Sequence, residues 1–521
     1  MLLHNKFYLY ATEFFAGMSV MAVELGASRL LAPYFSSSQI VWTIIIGTIM
    51  IAMALGNVYG GRLADRNSDP ALLYRRIIIA ALWIAAIPFA GKYIIVLIAG
   101  VLIKTIDTNL LTWAAFLSCM TIFVYPLFLL GTVTPCLVKY ATDSLDHNGK
   151  VVGNLGAFQT IGSIIGTFIP TFVTIPAVGT AVTFLIFSSI LLLIGLIYFV
   201  GDGRQRKRIA ASVLAFVVLS AGGISGSFAF WRTDVTLEDE SIYNYLQVRD
   251  NPQRTILSTN VMFGVQSIRV KDRQLTGMYY DYALAAPVLT SDRAEMKVLV
   301  LGMGAGTFAE RCRHYFPRSK IIGVEIDEKI TSIARKYFGL PADIPVVTYD
   351  GRAYLQSSDE KFDVIMVDAY QDITIPFQMS STEFFSMVRD RLTAGGVMVV
   401  NMSLRDESAG SINEYLTDTI AQNFSEVRLV DVGRGTNREV FASPTLGTLD
   451  RLTERAASLE DEELHRLMIE IENDWRAPRG GDHILTDDRA PVELLGMRAL
   501  DGLVREQLRM YRDAQRSPKL F

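Results

Sequence analysis

Three glycines in the second half of the chain have the spacing of a turn that can hold a nucleoside. Gly302, Gly304 and Gly306 follow the apolar run at residues 296–301, and a helical pattern begins directly after them. A buried strand, a glycine turn and a helix together present backbone N–H groups and a helix N-terminus to a ligand. Tight turns also need glycine for steric reasons alone, so the turn is a weak indication without other residues.

Carboxylates at the ends of the following strands supply those other residues. Glu325 ends the predicted strand at residues 320–325, nineteen positions after Gly306. An acid at that distance accepts the ribose hydroxyls in α/β nucleoside sites. Asp350 and Asp368 end the next two predicted strands. We therefore predict a nucleoside pocket at the carboxyl edge of an open parallel sheet.

Alternating strands and helices over residues 296–443 predict right-handed βαβ units around that sheet. We expect helices at 327–338 and 382–391, a fifth strand at 394–401, and two final strands at 427–432 and 439–442. A charged helical region at 447–473 and a polar helix from residue 500 follow. Apolar and polar residues alternate over 240–290, which predicts β-strands. The predicted domains are 1–230, helical; 231–292, a small β domain; and 293–521, the nucleoside-binding domain.

The first 230 residues contain most of the apolar sequence in a chain of 521 residues that is 50% hydrophobic and has a mean hydropathy of +0.30. A bilayer core takes about 20 apolar residues. Pro88 could kink the third segment or divide it into two pieces that are too short to cross. Gly56/Gly60 and Gly162/Gly166 have the spacing of close helix contacts. We predict about seven spans, near 8–31, 40–60, 76–103, 112–139, 155–175, 181–200 and 209–230.

Basic residues between spans two and three and between spans six and seven predict the orientation in the membrane. With seven spans, both loops lie on the cytoplasmic side and the C-terminal half emerges outside. A domain that uses a cytosolic nucleoside belongs inside, so the side of this domain stays open. We expect a multi-pass protein of the cell (inner) membrane. Glu24 and Arg29 place ionisable groups in or near the first span, where a structural and a transport role both remain open.

Composition argues against several other classes of protein. The net charge of −4 gives no support for nucleic-acid binding, which usually needs a basic face. The three cysteines suggest neither a disulfide framework nor a metal site. The five histidines are scattered without ligand spacing. We therefore expect no metal site and no nucleic-acid partner.

These motifs together resemble the spermidine synthase (polyamine aminopropyltransferase) family over essentially the whole soluble half. The resemblance implies an α/β class I methyltransferase-like (Rossmann-like) domain behind a small β domain. With the multi-pass α-helical membrane domain, it points to the membrane-fused bacterial branch of the family. The segments that carry it, in family order, are 240–248, 264–267, 301–307, 324–327, 350–355, 367–370 and 485–493.

The resemblance also implies a role for each residue of the donor site. The glycine turn at 302–306 would cradle the donor's amino-acid-like tail, Glu325 would hold the ribose, and Asp350 with Gly351 would meet the adenine. Gln266 would close the nucleoside side. Asp368 takes the place of the catalytic aspartate, since one carboxylate can hold an ammonium and then accept its proton. A helix N-cap or a ribose contact is the alternative role for Asp368.

The acceptor side departs from the family pattern. Ala305 stands where the family's glycine loop has Asp, and the Ser-Asp-Pro that follows the catalytic aspartate is replaced at residues 369–371. Asp281 and Asp372 could supply acceptor carboxylates, or they could be surface loop residues. The predicted substrate-binding residues are Tyr280, Asp281, Tyr370 and Asp372.

Three functions follow as hypotheses. The first is a membrane-anchored transfer of the aminopropyl group of decarboxylated S-adenosylmethionine to putrescine or a related amine. The second is a transfer from S-adenosylmethionine to a lipid or membrane-delivered substrate, and the third is a non-catalytic nucleoside-binding transporter or sensor. The expected partners are the sulfonium donor as co-substrate, an amine or membrane-associated acceptor, the lipid bilayer and a second copy in a homodimer. We expect no tightly bound cofactor.

Overall fold

The computed structural model describes residues 6–67, 69–106, 108–142, 148–202, 206–224, 226–261, 264–292, 295–370 and 375–516. The chain divides into two compact units. The first comprises Met1–Thr233, Glu238–Tyr245 and Asn260–Met262. The second comprises Asp234–Leu237, Leu246–Thr259 and Phe263–Phe521.

The first unit is built almost entirely from helices. A single turn of π-helix at Pro170–Thr174 joins the sixth helix to the seventh. In chain order the helices are α1 Lys6–Phe35, α2 Gln39–Arg66, α3 Pro70–Thr105, α4 Leu110–Gly131, α5 Val133–Ala141, α6 Asn148–Ile169, α7 Ile175–Asp202 and α8 Arg206–Ile224.

Six helical stretches among the described residues are long and apolar enough to cross a membrane. The predicted seven spans therefore correspond to six such stretches. The third span is one helix with Pro88 inside it. The stretch Asn148–Val200 covers both the fifth and the sixth predicted spans. Its 53 residues would extend about 80 Å as one helix, but the backbone leaves the helical conformation at Gly179 (φ 80°, ψ 170°). Each part is then long enough to cross a bilayer core.

The predicted glycine contacts lie where helices of this unit touch. A Cβ atom at Gly162 on α6 would lie 2.0 Å from the carbonyl oxygen of Phe14 on α1. A Cβ atom at Gly56 on α2 would lie 2.3 Å from the carbonyl oxygen of Phe128 on α4. No real Cβ fits at these distances, so glycine allows the two backbones to approach.

We expect Gly162→Leu to lower the free energy of unfolding by about 1–3 kcal/mol or more, because the side chain must force α1 and α6 apart. Gly153→Leu on the same helix is the matched control, since a Cβ there meets nothing within 4 Å. Thermal unfolding of both full-length variants in detergent measures the difference. Equal unfolding temperatures for the two variants would contradict the close contact.

A small sheet of four strands lies between the helical unit and the large sheet in sequence. The order is β1-β2-β3-β4, and β3 is antiparallel to both β2 and β4. Two short helices, α9 Tyr279–Tyr282 and α10 Ala285–Leu289, follow it, so the strands of the predicted β domain end at Val270. The strands are β1 Leu237–Glu240, β2 Tyr245–Asp250, β3 Arg254–Ser258 and β4 Ser267–Val270.

The second unit contains a seven-stranded sheet in the order β10-β11-β9-β8-β5-β6-β7. Strands β7, β6, β5, β8 and β9 are parallel. The last two strands complete the sheet as predicted, but as an antiparallel hairpin beside β9 rather than as further βαβ units. The strands are β5 Lys297–Leu301, β6 Lys320–Glu325, β7 Val346–Thr348, β8 Phe362–Val367, β9 Leu392–Met402, β10 Glu426–Asp431 and β11 Arg438–Ser443.

Helices cover this sheet. The helix predicted at 327–338 is α12, which continues as a π-helical turn at Ala334–Phe338, and the helix predicted at 382–391 is α14. The helices are α11 Thr307–Tyr315, α12 Glu328–Ile333, α13 Gly351–Ser357, α14 Thr382–Arg391, α15 Ile412–Asn423, α16 Leu452–Ala457, α17 Glu462–Asn473 and α18 Val492–Arg516.

The register of three neighbouring strands aligns three polar side chains. Val367 at the end of β8 pairs with Val400 of β9, so Asp368 and Asn401 are the next residues along. Asn401 in turn pairs with Glu439 of β11. Residues in register project to the same face of a sheet. Asp368, Asn401 and Glu439 therefore form one row, which we call the polar row, at the carboxyl ends of β8 and β9.

Candidate active site

The glycine turn after β5 adopts a conformation that requires glycine. Gly302, Gly304 and Gly306 have φ angles of 83°, 54° and 74°, in the left-handed region that other residues rarely adopt. A Cβ atom at Gly302 would lie 2.5 Å from the carbonyl oxygen of Asp368, so this glycine lets the turn meet the loop after β8. A Cβ atom at Gly304 meets nothing within 4 Å, which leaves open space at the centre of the turn.

Glu325 lies directly beside this turn. Its carboxylate accepts hydrogen bonds from the backbone N–H of Gly304 (2.8 Å) and of Asp327 (3.1 Å). The side chain is buried, and burial raises the pKa of its carboxyl above the usual value. The strand end therefore holds a carboxylate that is fixed in direction by the turn.

Asp350, Gly351 and Gln266 occupy the positions predicted to close the nucleoside site. Asp350 is the N-cap of α13, since its carboxylate accepts from the backbone N–H of Ala353 at 2.8 Å. Gly351 begins this helix. Gln266 lies just before β4, and its side-chain amide donates to the hydroxyl of Thr259 at 3.3 Å. The N-cap hydrogen bond of Asp350 is a structural contact. The adenine contact predicted for Asp350 stays a prediction.

Asp368 is held by two hydrogen bonds from different elements. The hydroxyl of Tyr279 on α9 donates to Oδ2 (2.8 Å), and Nδ2 of Asn401 donates to Oδ1 (2.8 Å). The pKa of this carboxyl is raised to about 7: the loss of water raises it most, the two donors lower it, and the nearby carboxylate of Glu325 raises it. Asp368 is therefore an oriented carboxyl that can lose or gain a proton near neutral pH.

Asn401 is itself fixed by neighbouring residues. Its Oδ1 accepts from Nδ2 of Asn437 (2.8 Å), which directs its Nδ2 towards Asp368. The hydroxyl of Tyr370 donates to the backbone carbonyl of Asn401. A chain of polar contacts from Asn437 through Asn401 thus sets the position of the Asp368 carboxyl.

Glu439 is the third residue of the polar row. Its side chain is 0% exposed, and neither carboxylate oxygen has a hydrogen-bond partner among the described residues. Burial raises the pKa of its carboxyl well above the usual value, and the Asp368 carboxyl raises it further. The site therefore contains a third carboxyl, whose oxygens accept no hydrogen bond from the described residues.

Comparison with known proteins decides the family. The sequence pattern of the Spermine/spermidine synthase domain matches residues 278–432. A protein of Bifidobacterium longum named probable polyamine aminopropyl transferase is 51% identical over 334 residues, covering 61% of this chain and 74% of the relative. The chain belongs to the polyamine aminopropyltransferase (spermidine synthase) family.

Further relatives have the same family name. A polyamine aminopropyltransferase of Vibrio vulnificus is 26% identical over 303 residues, covering 54% of this chain and 98% of that protein. A solved structure of a probable spermidine synthase from Corynebacterium glutamicum aligns with a TM-score of 0.37 and 18% identity, over 48% of this chain and 99% of that one. The family consists of transferases, so the polar row lies in the second unit of a transferase.

In this aminopropyltransferase the structure places two of the predicted acceptor residues in the interior. Asp281 is 0% exposed and pairs with Nε of the buried Arg311 at 2.9 Å. It also accepts from the backbone N–H of Thr276 (2.5 Å) and of Gly277 (2.7 Å). Tyr280 is buried and donates to the carbonyl of Ile268. The contacts that the structure shows for Tyr280 and Asp281 are structural ones, and the substrate roles predicted for them stay predictions.

The other two predicted acceptor residues have different outcomes. The hydroxyl of Tyr370 contacts the backbone of Asn401, and burial together with the Asp368 carboxyl raises the pKa of this phenol. Tyr370 therefore lies at the site, as a neighbour of the polar row. Asp372 lies outside the described residues.

Three site residues were absent from the prediction: Tyr279, Asn401 and Glu439. Asn401 could have been predicted from the sequence, because it is a polar residue near the end of a predicted strand, as Asp368 is. Glu439 was also visible as a charged residue in the otherwise apolar strand Glu439–Ala442. Tyr279 had no distinguishing feature, since it lies in a run of similar aromatic residues.

A group of side chains of the kinds that bind metal ions lies outside this site. Ligand atoms of Glu414, Asp418 and His483 lie within 4.8 Å of one another, which the scattered histidine positions did not predict. The backbone N–H of His483 also donates to the carboxylate of Asp418 at 3.1 Å. The contact anchors a loop, and we assign no ion to the group.

We expect Asp281→Ala to lower the free energy of unfolding by about 3–5 kcal/mol, because it leaves the buried Arg311 without its partner. Asp272→Ala is the control, since Asp272 is exposed. Chemical denaturation of the two variants measures the effect. A stable Asp281→Ala protein with a raised KM for the acceptor would contradict this expectation and support the predicted substrate role of Asp281.

Proposed function

We propose that this protein transfers the aminopropyl group of decarboxylated S-adenosylmethionine to an amine, putrescine or a related compound, with Asp368 as the base. One observation carries the proposal. Asp368 is an oriented carboxyl with a pKa of about 7, and it lies against the glycine turn that would hold the donor.

The donor would occupy the turn at 302–306. The open space in front of Gly304 would take the aminopropyl end, and Glu325 would accept hydrogen bonds from the ribose. Asp350 and Gly351 would meet the adenine, with Gln266 closing the nucleoside side. The charged groups at this edge of the sheet that we have described are carboxylates. They attract a sulfonium that carries an ammonium group, and they repel a donor that retains its own carboxylate.

The reaction requires little more than position and one proton acceptor. The ionised Asp368 attracts the acceptor ammonium and takes a proton from its nitrogen. The free electron pair of the nitrogen attacks the aminopropyl carbon that is bound to sulfur. As the C–N bond forms, the C–S bond breaks, and its electrons pass to sulfur to give neutral methylthioadenosine. A carboxyl pKa near the working pH suits Asp368 both to attract the ammonium and to accept its proton.

We also propose that the apolar helices of the first unit cross the cell membrane and anchor the enzyme there. The length and composition of the six helical stretches support this. Alkaline carbonate washing of cell membranes tests it: the protein should stay in the pellet, whereas release into the supernatant would contradict the anchor. Light scattering of the purified protein then tests the expected homodimer.

We expect Asp368→Asn to reduce aminopropyl transfer by about 10²–10⁴-fold, because the amide cannot accept the proton. The release of methylthioadenosine and the formation of the polyamine product, measured together, report this transfer. Asp359→Asn is the control, since that carboxylate is fully exposed. A methylated or otherwise modified acceptor with S-adenosylmethionine as donor would favour the alternative of a different transfer, and binding without any transfer would favour a sensor.

We expect Tyr279→Phe to shift the acid limb of the pH–rate profile upward by about one unit. The lost hydrogen bond stabilises only the ionised form of Asp368, so its removal raises a pKa that already lies near 7. Activity that depends on the ionised carboxylate is then lost at a higher pH as the solution is acidified. An unchanged acid limb of the pH–rate profile would show that Asp368 is not the base.

A further inference from the structure

The C-terminal segment 485–493 carries part of the family resemblance, and none of the proposed site residues comes from it. Backbone hydrogen bonds fasten its first half to the second unit. The carbonyl of the buried Leu485 accepts from the backbone N–H of Thr382 at 2.8 Å. Thr486 and Arg489 exchange backbone hydrogen bonds of 3.1 and 2.9 Å, which close a tight turn around Asp487.

Asp487 forms a bidentate ion pair with Arg352 of α13. The two terminal nitrogens of Arg352 donate to Oδ1 (2.7 Å) and Oδ2 (2.5 Å) of Asp487. The hydroxyl of Ser381 also donates to Oδ1, at 2.5 Å. The hydrogen bonds from Arg352 hold the pKa of the Asp487 carboxyl below its usual value, so the pair is ionised at neutral pH.

The same guanidinium contacts a short 3₁₀ turn, Phe377–Met379, which follows the loop after β8. Nη1 of Arg352 donates to the backbone carbonyl of Gln378 at 2.8 Å. A Cβ atom at Gly351 would lie 3.3 Å from Cε of Met379 and 3.6 Å from Cβ of Leu301. Gly351 therefore lies between this 3₁₀ turn and the end of β5, and Arg352 links the turn to α13 and to the C-terminal segment.

The exposure of the pair indicates that its main effect is local. The side chain of Arg352 is 20% exposed and that of Asp487 is 39% exposed. Ion pairs near the surface contribute about 0–1 kcal/mol to the stability of a whole domain. The planar fork of an arginine fixes direction as well as distance. The pair therefore orders the elements that it joins more than it stabilises the fold.

We propose that Arg352 and Asp487 are positioning residues for the donor nucleoside, because they hold the 3₁₀ turn Phe377–Met379 against Gly351. This inference rests on the proposed function, in which the adenine lies at Asp350 and Gly351. Without the pair, the turn and α13 occupy the binding arrangement for only a fraction of the time. The apparent Kd for the nucleoside then rises in inverse proportion to that fraction.

The test is calorimetric titration of the full-length protein in detergent with methylthioadenosine, which contains the nucleoside without the aminopropyl group. We expect Asp487→Asn to raise the Kd about tenfold and the KM for the donor by a similar factor. The value of kcat at saturating donor should stay within about twofold, because the residues that hold Asp368, Tyr279 and Asn401, are not partners of the pair.

Two further variants test whether the residues act as a pair. Arg352→Lys keeps the charge but loses the bidentate fork, so we expect it to show most of the loss of affinity. The double variant Arg352→Gln/Asp487→Asn should bind methylthioadenosine no more weakly than the weaker single variant, since both changes remove one interaction. Additive losses would overturn the pairwise role.

Asp343→Asn is the matched control. Asp343 forms a surface pair with Arg313 at 2.5 Å. It precedes β7, at the amino edge of the sheet and thus opposite the glycine turn. We expect this variant to bind methylthioadenosine as the wild-type protein does. An equal loss of affinity in Asp343→Asn and Asp487→Asn would overturn the assignment.

A purely structural tie predicts a different pattern. The unfolding temperature of Asp487→Asn would then fall while the Kd for methylthioadenosine stayed at the wild-type value, and that result overturns the inference. We expect instead a nearly unchanged unfolding temperature and a weaker Kd. Hydrogen–deuterium exchange of the ligand-free protein supplies a readout that is independent of binding. Faster exchange over residues 376–381 in Asp487→Asn supports the inference, and unchanged exchange contradicts it.

Failure of the inference can be distinguished from failure of the proposed function. If the wild-type protein binds methylthioadenosine and Asp487→Asn binds it equally well, only the role of the pair is wrong. If the wild-type protein does not bind methylthioadenosine, the proposed donor site is wrong, and the role of the pair towards the nucleoside fails with it.

Discussion

The removal of carboxylates from water is the constraint on which the functional half of this protein depends. Glu325, Asp368 and Glu439 come from three different strands and meet at one edge of the sheet. Backbone N–H groups stabilise the first, and a phenol and an amide stabilise the second. Nothing in the described chain stabilises the third. Cations would offset the negative charge of such a site, and the two substrates that we propose are cations.

The glycine turn and the carboxylate beside it were predictable because their positions are set by local structure. A glycine turn after an apolar strand needs positive φ angles, and an acid at the end of the next strand must lie beside that turn. Gly302, Gly304 and Glu325 therefore lie together as the sequence pattern indicates. Parallel order also places Asp368 next to the turn. The ligand contacts predicted for these residues remain predictions.

The polar row and its contacts were not predictable, because they depend on side-chain direction and strand register. In the four-residue helix α9, Tyr279 faces Asp368, whereas Tyr280 and Asp281 face the interior. Periodicity over so short a segment cannot separate these directions. Glu439 reaches the site because β11 runs antiparallel to β9 and pairs it with Asn401. The sequence indicated a strand at that point but not its direction.

Calorimetric titration of the purified full-length protein with two donors tests the central claim most directly. Decarboxylated S-adenosylmethionine and S-adenosylmethionine differ by one carboxylate, which the acidic edge of the sheet should repel. We expect the decarboxylated donor to bind at least about tenfold more tightly, a difference of about 1.4 kcal/mol in binding free energy. Equal binding, or tighter binding of S-adenosylmethionine, would contradict it and would indicate a transferase for a different group.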